Sequence, residues 1–165
     1  MNFEFTEQQQ QIMAQVRDFT AKRLAPGVVE RDEASEFPLE AFKEFGKMGM
    51  YGLCYPKEFG GTDIGYLPYI LAVEEVSKVD ASFGIAFSVN TSLYGGSVMY
   101  SNATDEQKKR FLGPIASGQA IGSFGLTEHS AGSDAAGQKT LATKDGDDYI
   151  LNGTKIFNTK GPLAD

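Results

Sequence analysis

Hydroxyls, small residues and backbone donors are concentrated between Gly122 and Thr140, in the run GSFGLTEHSAGSDAAGQKT. Thr127 and Ser133 each carry a hydroxyl that can donate or accept. Ser123-Phe124-Gly125-Leu126 reads as a strand, because Phe124 and Leu126 alternate with small residues. A polar, turn-rich loop follows. Such a loop on a strand end suits a small-molecule site, and it equally suits a plain surface connection. Phe124, Leu126 and Thr127, with Phe157 and Thr159 on a later strand, would offer a flat, polarizable ring an aromatic and apolar wall and hydroxyl donors along one edge. Taken singly, both phenylalanines could be core, and threonine is common in strands.

Self-contained catalytic sets are not found. His129 is the one histidine, and although Ser133 and Asp134 lie nearby, no Gly-x-Ser-x-Gly elbow exists to present a nucleophile. Neither a P-loop nor a Gly-x-Gly-x-x-Gly turn occurs. Asp145, Asp147 and Asp148 lack calcium-loop spacing and flank a turn, so they read as a solvated hairpin. Cys54, the single cysteine, excludes an internal disulfide and reads as a small buried hydrophobe.

The elements that would position these residues change character along the chain. Thr6-Glu7-Gln8-Gln9 is a capping box opening a helix to about Leu24, with Ile12, Val16 and Phe19 on one face and Pro26 beyond its end. Glu30 to Glu36 reads as a polar connection. Pro38 starts a second helix with Leu39, Phe42 and Phe45 inward. Met50–Tyr55 is a short apolar run, followed by a Pro/Gly-Gly loop. A third helix spans 67–79, with Ile70, Leu71 and Val76 apolar and Glu74-Glu75 outward. The nearly uncharged segment from Ala81 to Tyr100 should lie centrally in the core. Thr104-Asp105-Glu106-Gln107 is a second capping box, opening a helix to about Ala116 with Phe111, Leu112 and Ile115 packing.

From Ile121 the period becomes alternating. Residues 140–144, 149–151 and 155–158 read as strands, with Asp145-Gly146 and Asn152-Gly153 as hairpin turns. The expected class is α+β: an antiparallel helical bundle over residues 1–119, then the start of an antiparallel, β-barrel-like domain over 120–165. A meander so small leaves an edge and an apolar face open, so the sequence reads as cut off at Asp165.

Charge narrows the partners. The 22 acidic residues outweigh the 15 basic ones, for a net charge of −7, which disfavours nucleic acid or an anionic membrane. No apolar run is long enough to span a bilayer, and MNFEFTEQQQ lacks the features of a signal or transit peptide. A reducing, cytoplasmic compartment is expected.

The run FGLTEHSAGSDAAGQKT followed by DGDDYILNGTKIFNTKGPLAD resembles the acyl-CoA dehydrogenase family, whose hallmarks are LTE-x-x-AGSD and then NG-x-K-x-[WF]-x-T. Residues 58–80 and 104–122 are similar to that family's N-terminal helical domain, so the likeness covers essentially the whole chain. It implies FAD as cofactor, a short-chain (butyryl-type) acyl-CoA as substrate, an electron-transferring flavoprotein as acceptor, and a homo-oligomer at full length. By position it implies that Phe124, Leu126 and Thr127 line the flavin, with Thr127 bonding the ring edge. Phe157 would pack on the ring, Thr159 would contact it, and Ser133 would lie where the loop meets acyl-CoA. Ile85, Val89 and Leu93 could wall the acyl tail. The family's catalytic carboxylate lies beyond the middle domain, so no catalytic residue is expected among these 165 and no turnover from them alone. Glu128, within LTE, reads as structural. The alternative is a non-catalytic module that binds a related subunit or the electron-transfer partner. Three departures stand out: His129 replaces a usual Pro, Asn158 a usual apolar residue, and Lys160-Gly161-Pro162 an Asn-Gly-Gly turn. The last removes a backbone donor and is expected to place a charge near the flavin edge.

Overall fold

The computed structural model describes residues 4–165. Helix α1 spans Glu7–Phe19 and continues as a π-helical turn, Thr20–Leu24. Both halves of its capping box form: Thr6 Oγ1 accepts from Gln9 N–H at 3.3 Å, and Gln9 Oε1 accepts from Thr6 N–H at 3.0 Å. Val16, Phe19 and Leu24 face the core. Much of the stretch from Glu30 to Glu36, read as a polar connection, is helical instead: α2 spans Val28–Ala34 and buries none of its residues. Its Arg31 reaches back to donate to the Leu24 and Pro26 carbonyls, satisfying acceptors that the end of the first helix leaves open.

Helix α3, Leu39–Lys47, sends Phe42 and Phe45 fully into the core. The apolar run after it forms no long element, yet its Tyr51 and Tyr55 are among the most buried side chains. Their hydroxyls donate to the carbonyls of Phe42 and Thr91 respectively. Gly46 meets Gly118, whose φ is +72°, so closely that a Cβ on Gly118 would lie 2.2 Å from the Gly46 carbonyl carbon. Glycine is required at this joint.

Helix α4, Tyr66–Ser77, turns differently from expectation: Glu75, expected outward, is only 4 % exposed, while the apolar Ile70 faces solvent. Apolar residues occur all round this helix, so periodicity alone does not fix its phase. Helix α5, Ala81–Ser88, opens on Asp80, which accepts from Phe83 N–H at 2.9 Å, and then widens into a π-helix, Val89–Gly95, followed by α6, Gly96–Met99. Phe83 and Phe87 form edge-on ring contacts with Phe45 at 5.5 and 5.1 Å. The segment is central as expected, except that Ile85 and Leu93 point outward.

The second capping box forms at Thr104 and Gln107. The helix it opens divides into α7, Asp105–Phe111, and α8, Gly113–Ala116, because Pro114 cannot donate into the ladder. Leu112 and Ile115 are buried, whereas Phe111 is half-exposed.

Strands β1, Leu141–Asp145, and β2, Asp148–Asn152, pair antiparallel, with Asp145 opposite Asp148 and Gly146 at φ +61° in the turn. Two expected strands do not form: Ser123–Leu126 and residues 155–158 lie outside any ladder. Asn152-Gly153 is accordingly not a hairpin turn. The architecture is the α+β arrangement expected, a helical bundle followed by an antiparallel hairpin. No helix among the described residues is long and apolar enough to cross a membrane.

Candidate functional site

The two segments, 123–127 and 155–159, lie side by side, antiparallel, although neither is a strand. Ile156 N–H donates to Thr127 O at 2.8 Å, Ser123 Oγ donates to Thr159 O at 2.8 Å, and Lys155 Nζ donates to Leu126 O at 3.0 Å. Phe124, Leu126 and Thr127 are thereby brought beside Phe157 and Thr159. Ser133 is not joined to them. It is exposed on the turn after the Glu128–Ala131 bridge, and among the described residues no hydrogen bond ties it to the other five.

Phe157 is the distinctive member. Its φ is +58°, a region bulky residues rarely occupy, and its ring is 87 % exposed. A strained backbone that turns a large aromatic ring outward gains nothing from burial within the described residues. Leu126 is exposed beside it, while the Thr127 and Thr159 side chains are half-buried. Among the described residues neither threonine hydroxyl has a hydrogen-bond partner. An apolar-aromatic surface edged by unpaired hydroxyls can take a flat heterocycle and bond its polar edge. Phe124 also faces a cleft of about 630 Å³ that includes Tyr94, Val98 and Phe111.

Glu128 underpins the loop. Its carboxylate accepts from Lys139 N–H at 2.7 Å, Thr140 N–H at 3.0 Å and Lys155 Nζ at 2.7 Å. The Lys155 ammonium first, and then the two amides, hold the carboxyl well below the usual range. A carboxylate so engaged is an anchor and a poor proton acceptor, which agrees with its structural reading. Lys155 had no role assigned from the sequence, although it is the Lys of the second motif.

The Lys160 ammonium turns inward. It is buried in the helical domain, donates to Ala86 O at 2.6 Å, and lies 5.0 Å from the centroid of the Phe42 ring. Burial pushes it down to about 8. Cys54 is buried as expected, and burial raises its thiol to about 11, which makes it a poor nucleophile. No cluster of metal-ligating side chains occurs among the described residues.

Comparison with known proteins shows what the chain as a whole resembles. The family model for the N-terminal domain of acyl-CoA dehydrogenases matches residues 6–119, and that for their middle domain matches 123–165. A short-chain specific acyl-CoA dehydrogenase of Clostridium acetobutylicum is 43 % identical across all of this chain and 43 % of its own length. A chain from a solved structure described as an electron transferring flavoprotein of Acidaminococcus fermentans superposes with a TM-score of 0.96 at 48 % identity, over 100 % of this chain and 43 % of that one. A glutaryl-CoA dehydrogenase of Mycobacterium smegmatis, solved in complex with FADH2, superposes with a TM-score of 0.89 at 40 % identity, over 98 % of this chain and 41 % of that one. The chain thus spans less than half the length of these relatives. With both family models matched in order and nearly end to end, it belongs to the acyl-CoA dehydrogenase family.

Proposed function

We propose that these residues form the helical domain and the flavin-facing part of the middle domain of an FAD-dependent dehydrogenase of short-chain acyl-CoA thioesters. The observation that carries this reading is the outward Phe157 ring beside the unpaired hydroxyls of Thr127 and Thr159. The residues present fit FAD by their chemistry: Phe157, Phe124 and Leu126 supply apolar surface, and the two threonines supply donors. When bound, FAD accepts the hydride removed from the acyl β-carbon. Phe157 would cover the ring face and exclude water from it. Thr127 would donate to the polar edge and favour the reduced, more electron-rich state. Ser133, on its exposed turn, would contact acyl-CoA. The domains would divide near residue 120.

Glu128 is committed to Lys155 and two amides, so none of these residues is assigned as the base. The chain by itself would therefore bind and orient rather than turn over. An electron-transferring flavoprotein would be the acceptor; the Acidaminococcus relative supports this. Assembly would be homo-oligomeric and the compartment cytoplasmic.

Titration of the apoprotein with FAD, followed by flavin absorbance, tests the reading. Saturable binding that Phe157→Ala weakens, and a reduction potential that Thr127→Val lowers, are expected. Unchanged affinity and potential in both variants would remove these residues from the site.

A further inference from the structure

The Phe124–Thr127 and Phe157–Thr159 segments share too few bonds to set their own spacing. One backbone hydrogen bond, Ile156 N–H to Thr127 O, takes the place of a ladder. Each segment is instead tied to the same helix. The fully buried Asn90 accepts Gly122 N–H on Oδ1 at 2.8 Å, just before Phe124. Lys160, directly after Thr159, donates to Ala86 O at 2.6 Å. Ala86 and Asn90 lie four residues apart, about one turn, so the two ties meet the helix close together.

The helix is specialised at this point. It changes from α to π between Ser88 and Val89, and such a change alters which carbonyls receive intrahelical donors. Ala86 O, which accepts from Val89 N–H at the junction, takes the ammonium as a further donor. Lys160 itself sits at φ +59°, uncommon for a long side chain. Among the described residues its ammonium makes no ion pair, and Phe42 and the residues lining the pocket beside it, Phe37, Ser82, Ile85, Thr159 and Leu163, carry no charge. A buried cation with no counter-ion costs stability. The placement therefore has to be accounted for by something other than stability.

We propose that Lys160 and Asn90 are positioning residues for the cofactor, seating the Phe157–Thr159 and Phe124–Thr127 segments on adjacent turns of one helix so that the helical core sets the distance between them. The assignment rests on the flavin reading above. Neither residue touches the ring in this scheme; each acts through the segment it holds.

The test is Lys160→Met, which keeps most of the stem and removes the ammonium, with Asn90→Leu as a second variant should the first fail to fold. In apoprotein without flavin, the Ile156 and Gly161 amides should exchange about fivefold faster or more, while those of α1 are unchanged. The apoprotein melting temperature should be at or above that of the parent. Parent apoprotein should bind FAD saturably, and the variant about tenfold more weakly with a shifted flavin absorbance band. In a Phe157→Ala background most of that tenfold should vanish, because the strut acts through the ring. If the parent binds FAD and Lys160→Met matches it in affinity and spectrum, the positioning role is overturned and the flavin reading stands. A lowered melting temperature with unchanged FAD affinity would make Lys160 merely structural, which also overturns it. A parent that binds no FAD sinks the flavin reading, and this inference with it.

Discussion

Lys155 and Glu128 come from two separate motifs and meet at 2.7 Å, closing the base of the β1–β2 hairpin onto the loop that carries Thr127. Lys155 also donates to Leu126 O, so one ammonium holds both the carboxylate and the candidate flavin-facing segment. Glu128→Gln keeps the shape but weakens three charge-assisted contacts. Amide exchange at Lys139 and Thr140 should accelerate, and FAD affinity should fall about three- to tenfold, with helix content by circular dichroism unchanged. Undisturbed exchange at those amides would show that the carboxylate does not hold the loop.

Arg17 and Glu75 make the corresponding tie within the helical bundle, α1 to α4. Arg17 Nε and Nη2 donate to Glu75 Oε2 and Oε1 at 2.7 and 2.8 Å, and Lys78 Nζ adds a third contact at 2.8 Å. These partners, Arg17 foremost, lower the Glu75 carboxyl from 4.5 to about 2. A depressed carboxyl contributes stability above its unfolded value and loses it as pH falls through the folded one. The Glu75 contribution should therefore be complete above pH 4.5 and fade toward pH 2, and Glu75→Gln should flatten that part of the acid unfolding curve. Because Arg17 is more than half exposed, Arg17→Met should lower stability only modestly at neutral pH. Superimposable acid limbs for parent and Glu75→Gln would contradict the assignment.

What was legible in the sequence follows from how local each signal is. The capping boxes at Thr6 and Thr104 and the Asp145-Gly146 turn need only neighbouring residues, and the structure shows all three. Helix α2 buries nothing, so no periodicity marks it; Arg31 ties it to the end of the preceding helix through contacts five and seven residues away. The inward turn of Glu75 depends on Arg17, 58 residues earlier. In the candidate site, alternation at Phe124 and Leu126 suggested a strand, but alternation does not supply the partner that a ladder needs, and none forms there. The left-handed φ at Phe157 breaks the pairing that the pattern 155–158 suggested. Burial of Lys160 was not legible, because nothing local signals its reach to Ala86, 74 residues back.

Phe157 separates binding from stability. Its ring is 87 % exposed and its φ is +58°, so replacement by glycine removes little buried surface and relieves the backbone. The added freedom of glycine in the unfolded chain offsets that relief. Phe157→Gly apoprotein should stay within about 1 kcal/mol of the parent in denaturant unfolding. Its FAD affinity should nonetheless drop by about tenfold or more, the loss expected of an aromatic contact surface. A large loss of stability would mean that the ring packs on the protein rather than on a ligand.

Lys160 should leave an alkaline signature. Its ammonium is depressed from 10.5 to about 8 by burial, among neighbours that carry no charge. Below pH 8 folded and unfolded chains both hold the proton, and the fold bears the full cost of the buried charge. Between about pH 8 and 10.5 the folded chain releases the proton first, so its stability rises with pH, by at most about 3 kcal/mol over the whole window. Burial raises Tyr51 and Tyr55, which oppose this trend once free tyrosine begins to ionise near pH 10. The measurement therefore belongs between pH 7.5 and 9.5 and is read as a difference from Lys160→Met, which shares every tyrosine. The stability of the parent relative to the variant should climb across that range, while the neutral amine still donates to Ala86 O and keeps the segment seated. Parallel curves for the two proteins would mean that solvent reaches the ammonium and that it bears no cost of burial.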